Sequence, residues 1–110
     1  HKAVLEHRPS KYMFGAKNYG EIVGLLNKAD GDCWDVFVPG YNFKLPTKTP
    51  FKITKILGYL KLENNNHKIA VRISHPGYSH KRAYYEIQRY CNTYTRKMNM
   101  EGEWIAFVNH

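Results

Sequence analysis

Acidic residues are scarce in this chain. Nine aspartates and glutamates stand against 17 lysines and arginines, a formal net charge of +8 with neutral histidines. That balance favours anionic partners: phosphorylated small molecules, nucleic acid or a membrane surface. Cysteine is equally sparse. Cys33 and Cys91 do not make a disulfide framework, so a reducing compartment, the cytoplasm, is expected. No apolar run approaches the length that spans a bilayer, no signal-peptide pattern opens the chain, and no repeat or low-complexity tract interrupts it. A membrane partner is therefore not expected. The chain starts at His1 rather than methionine, and an upstream piece is expected to have preceded it.

What is present suits a folded globule: 43% hydrophobic and 15% aromatic residues. A chain of 110 residues can bury one modest core, so 1–110 is read as a single domain. Residues 1–17 read as an extended arm or short strand, since Pro9-Ser10 interrupts any helix. Past the turn signal Asn18-Tyr19-Gly20, residues 21–26 predict a mostly buried strand. Residues 35–38 predict a second strand, closed by Pro39-Gly40. A long β-type run over 51–62 should bend at Gly58, and Asn64-Asn65-Asn66 should turn it into a hairpin with 69–73. Ser79 is the expected N-cap of the one major helix, whose apolar side steps through Ala83, Ile87, Tyr90, Cys91 and Tyr94. Residues 104–108 predict a fifth strand. The expected fold is mainly β with one helix: a small, partly open, five-stranded barrel of the oligonucleotide-binding (OB) type.

The three aspartates all fall within Asp30-Gly31-Asp32-Cys33-Trp34-Asp35. Two carboxylates flanking a glycine can turn toward one cation, because glycine lets the backbone curl sharply. Asp35 offers a third oxygen ligand. Hard cations such as Mg²⁺ take oxygen ligands and keep several waters, so a few carboxylates and a substrate's phosphates suffice. Asp32, in the middle, is placed to take a proton from an activated water. A solvated Asp-Gly turn is the plain alternative. The concentration of every aspartate here, against so basic a background, favours the metal loop.

Asn18-Tyr19-Gly20, Asp30-Gly31-Asp32-x-x-Asp35-Val36, Gly58-x-Leu60-Lys61-Leu62 and Lys68-Ile69-Ala70-Val71 occur in this order. The order resembles that of soluble inorganic pyrophosphatases of the OB-barrel family over about residues 18–73, and Tyr94 and Gly102-Glu103-Trp104 are similar to that family's C-terminal part. The resemblance implies Mg²⁺-dependent (or Mn²⁺-dependent) hydrolysis of pyrophosphate or a related phosphoanhydride by metal-activated water. It makes Asp30, Asp32 and Asp35 metal ligands, Asp32 also the catalytic base, and Tyr19, Lys68 and Tyr94 phosphate-binding residues. Where the family has a proline this chain has Cys33. Where it has two further metal-binding aspartates, the nearest equivalents are Asn64 and Asn66, which keep a carbonyl but lose the charge. The lysine expected after Tyr94 is Thr95, leaving Arg96 or Lys97 to reach the phosphate.

Each of these positions also has an ordinary structural reading: Lys68 an exposed strand lysine, Tyr94 and Tyr19 packing residues. Lys81, Arg82, Arg89, Arg96 and Lys97 form a basic helix face that is by default solvated. With the lysines of 41–61 and aromatic platforms at Tyr41, Phe43, Tyr84 and Tyr85, it also fits nucleic acid, though less well than a phosphorylated substrate. A barrel impaired in catalysis that binds an anionic ligand or nucleic acid is the second reading. Assembly into a homo-oligomer stays open. Cys33 reads as a small loop residue and Cys91 as a core helix residue, since flanking aspartates disfavour a thiolate.

Overall fold

The computed structural model describes residues 1–9, 13–26, 31 and 33–107. The chain forms β1 (Lys2–Leu5), β2 (Tyr19–Leu26), β3 (Cys33–Phe37), β4 (Pro50–Leu62), β5 (Lys68–Ile73), α1 (His80–Met98) and β6 (Gly102–Ala106). The strands join in the order β1-β2-β3-β5-β4-β6, and β1 also pairs with β4. That last pairing, Ala3 opposite Phe51, closes a five-stranded barrel. Among the described residues only β3 and β5 run parallel, with Val36 opposite Ile69. The expected OB-type barrel is thus present, and closed rather than partly open.

The strand predicted near the C-terminus is not one of the five. As β6 it lies outside the ring and pairs only with the far half of β4, Leu60 opposite Trp104. Val108, placed at its end by the sequence reading, lies outside the described residues. The fifth barrel strand is β1, from the segment expected to be an arm or a short strand. Its closure depends on a close approach: a Cβ on Gly20 would lie 2.0 Å from the Val4 carbonyl oxygen.

Period-two alternation divides the barrel wall into two cores. Ala3, Leu5, Ile22, Val36, Val38, Phe51, Val71 and Ile73 point inward and pack together. The opposite phase of the same strands supplies Tyr19, Phe37, Leu60, Leu62 and Ala70, which pack with Tyr90 and Tyr94 of α1. β4 serves three partners and bends to do so, with register shifts at 53/55 and 56/58 against β5. Gly58 is needed at the second shift, because a Cβ there would meet the Ile105 carbonyl oxygen at 2.4 Å. α1 starts as expected: the Ser79 side chain accepts the Arg82 backbone N–H, and Asn99 ends the helix in the left-handed conformation. Among the described residues, no helix is long and apolar enough to cross a membrane.

Candidate functional site

The outer phase of the barrel wall carries more than apolar side chains. Asp35 shares β3's outward phase with Phe37, and Lys68 shares β5's with Ala70. The parallel pairing of β3 with β5 sets the two side by side, and Lys68 Nζ lies 2.6 Å from Asp35 Oδ2. The lysine side chain is only 6% exposed, against 20% for the aspartate. A buried ammonium without a partner is costly, so Asp35 is its required counter-ion.

A second cation reaches the same carboxylate. Arg8 Nη2 stands 3.9 Å from Asp35 Oδ1 and 2.6 Å from Glu6 Oε1. The guanidinium also lies over the Tyr19 ring, 4.4 Å from its centre. On the other side, Lys68 Nζ is 5.9 Å from the centre of the Tyr94 ring. Each cation is thus backed by a tyrosine face, an arrangement that attracts positive charge through the ring quadrupole. Burial opposes the charge on Arg8, but Glu6, Tyr19 and Asp35 outweigh it and hold its pKa above the usual value.

The tyrosines stay protonated. Burial, then the Asp35 charge, raises the pKa of Tyr19, with Arg8 offsetting part of the effect. Burial and Asp35 also raise that of Tyr94. Tyr90, between them on α1, is pushed well above the usual range by burial and then by Tyr19 and Tyr94. These hydroxyls are therefore hydrogen-bond donors, not bases, at neutral pH. Phe14 braces the group, its ring centre 4.5 Å from that of Tyr94. Behind Tyr19, the buried Asn18 pins the following loop: its amide donates to the Phe43 carbonyl at 3.1 Å and its carbonyl accepts Leu45 N–H at 2.7 Å. A cleft of about 340 Å³ opens beside Arg8 and Tyr19, with Lys17 and Lys44 on its walls; Asp35 and Lys68 do not line it.

Four of the sequence-predicted residues, Tyr19, Asp35, Lys68 and Tyr94, are thus drawn together from three strands and the helix. Tyr19 and Tyr94 are 3% and 5% exposed; with so little surface they act by holding Arg8 and Lys68. Asn64 and Asn66 lie in the β4–β5 turn, where the Asn64 side-chain oxygen accepts the Asn66 backbone N–H at 3.0 Å. Arg96 and Lys97 are exposed in the last turn of α1 and line a groove on the outer surface of the helix, apart from the cluster. Asp30 and Asp32 lie outside the described residues. Cys91 is a half-buried helix residue whose thiol burial pushes up to about 11, so it is a poor nucleophile. Among the described residues no three histidine, cysteine, aspartate or glutamate side chains converge as a metal site.

Sequence reasoning left open whether Arg8 belongs to the site and did not place Tyr90 there. Arg8 arrives because the β1–β2 pairing continues past the strand end, Glu6 N–H donating to the Tyr19 carbonyl at 2.9 Å. No local spacing carries that information. Tyr90 was legible only as part of the helix's apolar stripe.

The fold and this cluster define a class: a small OB-type barrel with paired cations and a carboxylate between wall and helix. Compared with known proteins, the chain matches no family model, no curated protein and no solved structure.

Proposed function

We propose that the chain hydrolyses a phosphoanhydride, pyrophosphate or a small relative of it, in the cytoplasm and with Mg²⁺ or Mn²⁺. The observation that carries this reading is the convergence of Tyr19, Asp35, Lys68 and Tyr94 on one side of the barrel, directly after the acidic loop in β3. Residues far apart in sequence meet there with the charges that a phosphate and its cation require.

The donor set suits a divalent ion in part. Asp35 gives one oxygen to Lys68 and keeps the other 3.9 Å from Arg8, beyond hydrogen-bond reach. With Asp30 and Asp32 it would hold the ion; the carbonyls of Asn64 and Asn66 are neutral donors at the neighbouring turn. When bound, the ion neutralises phosphate oxygens and lowers the pKa of water. The chain's own residues do the rest. Asp32 accepts the proton of the attacking water. Arg8, the more exposed cation, binds and orients a phosphate, as a guanidinium does well. Lys68 offsets the negative charge of Asp35, and Tyr19 and Tyr94 keep both cations in place.

The test is phosphate release from pyrophosphate with Mg²⁺. The expected result is turnover by the natural sequence and a loss of about 10²-fold or more in Asp32→Asn, the usual scale for a general base. Equal rates for the two would overturn the reading. A second reading follows from the Asp35–Lys68 pair, which satisfies both charges without any ion: the barrel binds pyrophosphate and does not cleave it. Pyrophosphate binding that survives EDTA, without phosphate release, would favour it.

A further inference from the structure

α1 has a second charged face that the candidate site does not use. At about 100° per residue, Lys81, Tyr85, Arg89, Asn92 and Arg96 fall within an arc of about 80°, a stripe about 22 Å long. It lies opposite the buried Ala83, Tyr90 and Tyr94, and all five side chains are exposed. The helix has a single acid, Glu86, and it is turned inward. Its Oε1 accepts the Gly40 N–H at 2.8 Å and lies 3.4 Å from Arg82 Nε. The outward stripe therefore carries cations and no anion.

An exposed ring interrupts the cations: Tyr85 is 60% exposed, and Tyr84, 65% exposed, lies to one side of the stripe. Arg89 lies close against the chain at Gly15, where an added Cβ would stand 3.4 Å from Arg89 Nε. Beside it runs an open groove of about 540 Å³, whose walls include Tyr85, Arg89, Thr93, Arg96 and Lys97. Of the aromatic platforms expected from sequence, Tyr41 is not one. It is fully buried, and its hydroxyl donates to the His75 carbonyl at 2.7 Å.

We propose that this solvent face of α1 binds single-stranded nucleic acid, with backbone phosphates on Lys81, Arg89 and Arg96 and a base stacked on Tyr85. Charge complementarity selects an anion, and the interleaved Tyr85 ring, with Tyr84 beside it, selects one with flat faces to stack. An acidic peptide would leave the tyrosines unused. A lipid surface would need aliphatic or tryptophan side chains to bury, and the stripe has none.

The test is fluorescence anisotropy of a labelled oligothymidylate of about 12 nucleotides, a length within the usual footprint of such barrels. Three phosphate contacts on a single strand predict an affinity about 20-fold weaker at 200 mM than at 50 mM salt. Tyr85→Ala should weaken binding about tenfold with the same salt slope. The triple substitution Lys81→Ala, Arg89→Ala, Arg96→Ala should remove most of that slope, and Lys52→Ala, at an exposed lysine of the barrel, should leave it intact. All four stripe positions are exposed, so an unchanged far-UV circular dichroism spectrum confirms the fold of these variants. No binding at low salt would overturn the proposal, as would a salt slope that survives the triple substitution. Tyr85→Ala with undiminished affinity, or tighter binding of a duplex of equal length, would overturn the single-strand assignment.

Discussion

Lys68 carries its charge where the barrel wall leaves it almost no solvent. A lysine ammonium buried in a barrel wall is tolerated because β3 places Asp35 against it at 2.6 Å. Removing one partner of such a pair strands the other, at a cost of about 3 kcal/mol, whereas replacing both with apolar groups of similar size is close to neutral. Asp35→Ala is therefore expected to lower the urea midpoint strongly. The double substitution Asp35→Leu, Lys68→Met is expected to recover most of that loss while losing any phosphate chemistry. Equal destabilisation by the single and the double change would show that the pair is not coupled. At this scale the sequence was informative: the order of motifs picked out Tyr19, Asp35, Lys68 and Tyr94 before any contact between them was visible. The ordinary reading of the two tyrosines as packing residues also holds, since both are nearly enclosed between the wall and α1. The sequence left Arg8 open for a physical reason. Its place follows from a ladder between distant strands, which leaves no mark in the residues around it.

Among the elements, the β4–β5 hairpin links stability to pH. His67 accepts the Leu62 backbone N–H on Nδ1 at 2.9 Å, which fixes the neutral ring. Burial, then the nearby Lys61 charge, lowers its pKa below the usual 6.5. The folded chain thus binds this proton less readily than the unfolded chain. The contribution is present above pH about 6.5 and is lost as pH falls through the lower folded value. The expected outcome is a thermal midpoint that drops between pH 7 and pH 5 more in the natural sequence than in His67→Gln. Parallel pH profiles would contradict it. The hairpin and the helix were both legible in advance, because each announces itself locally: Asn64-Asn65-Asn66 by turn chemistry, α1 by its cap at Ser79 and its apolar stripe. β6 was legible as a strand but not as an outsider. An apolar strand looks the same whether it closes a barrel or lies along its edge.

For the molecule as a whole, closure is what turns a row of strands into a site. The four residues of β1 pair with β2 through Ala3, Val4 and Leu5 and with β4 through Lys2, Ala3 and Val4, and the chain just beyond them delivers Arg8 to the face covered by α1. So short a strand has little periodicity to read, which is why the N-terminal segment could be expected only as an arm or a short strand. The same barrel wall separates the inner core from the polar cluster, and α1 in turn separates that cluster from its own basic outer face. Two charged surfaces therefore serve one small protein without merging. We propose that the acidic loop and the Asp35–Lys68 cluster form a single metal-phosphate site. Anomalous scattering from a crystal soaked with Mn²⁺ and pyrophosphate tests this most directly. A manganese peak held by carboxylates of Asp30, Asp32 and Asp35 is expected, with a phosphate against Arg8. No peak at saturating Mn²⁺, or one held elsewhere on the chain, would contradict it.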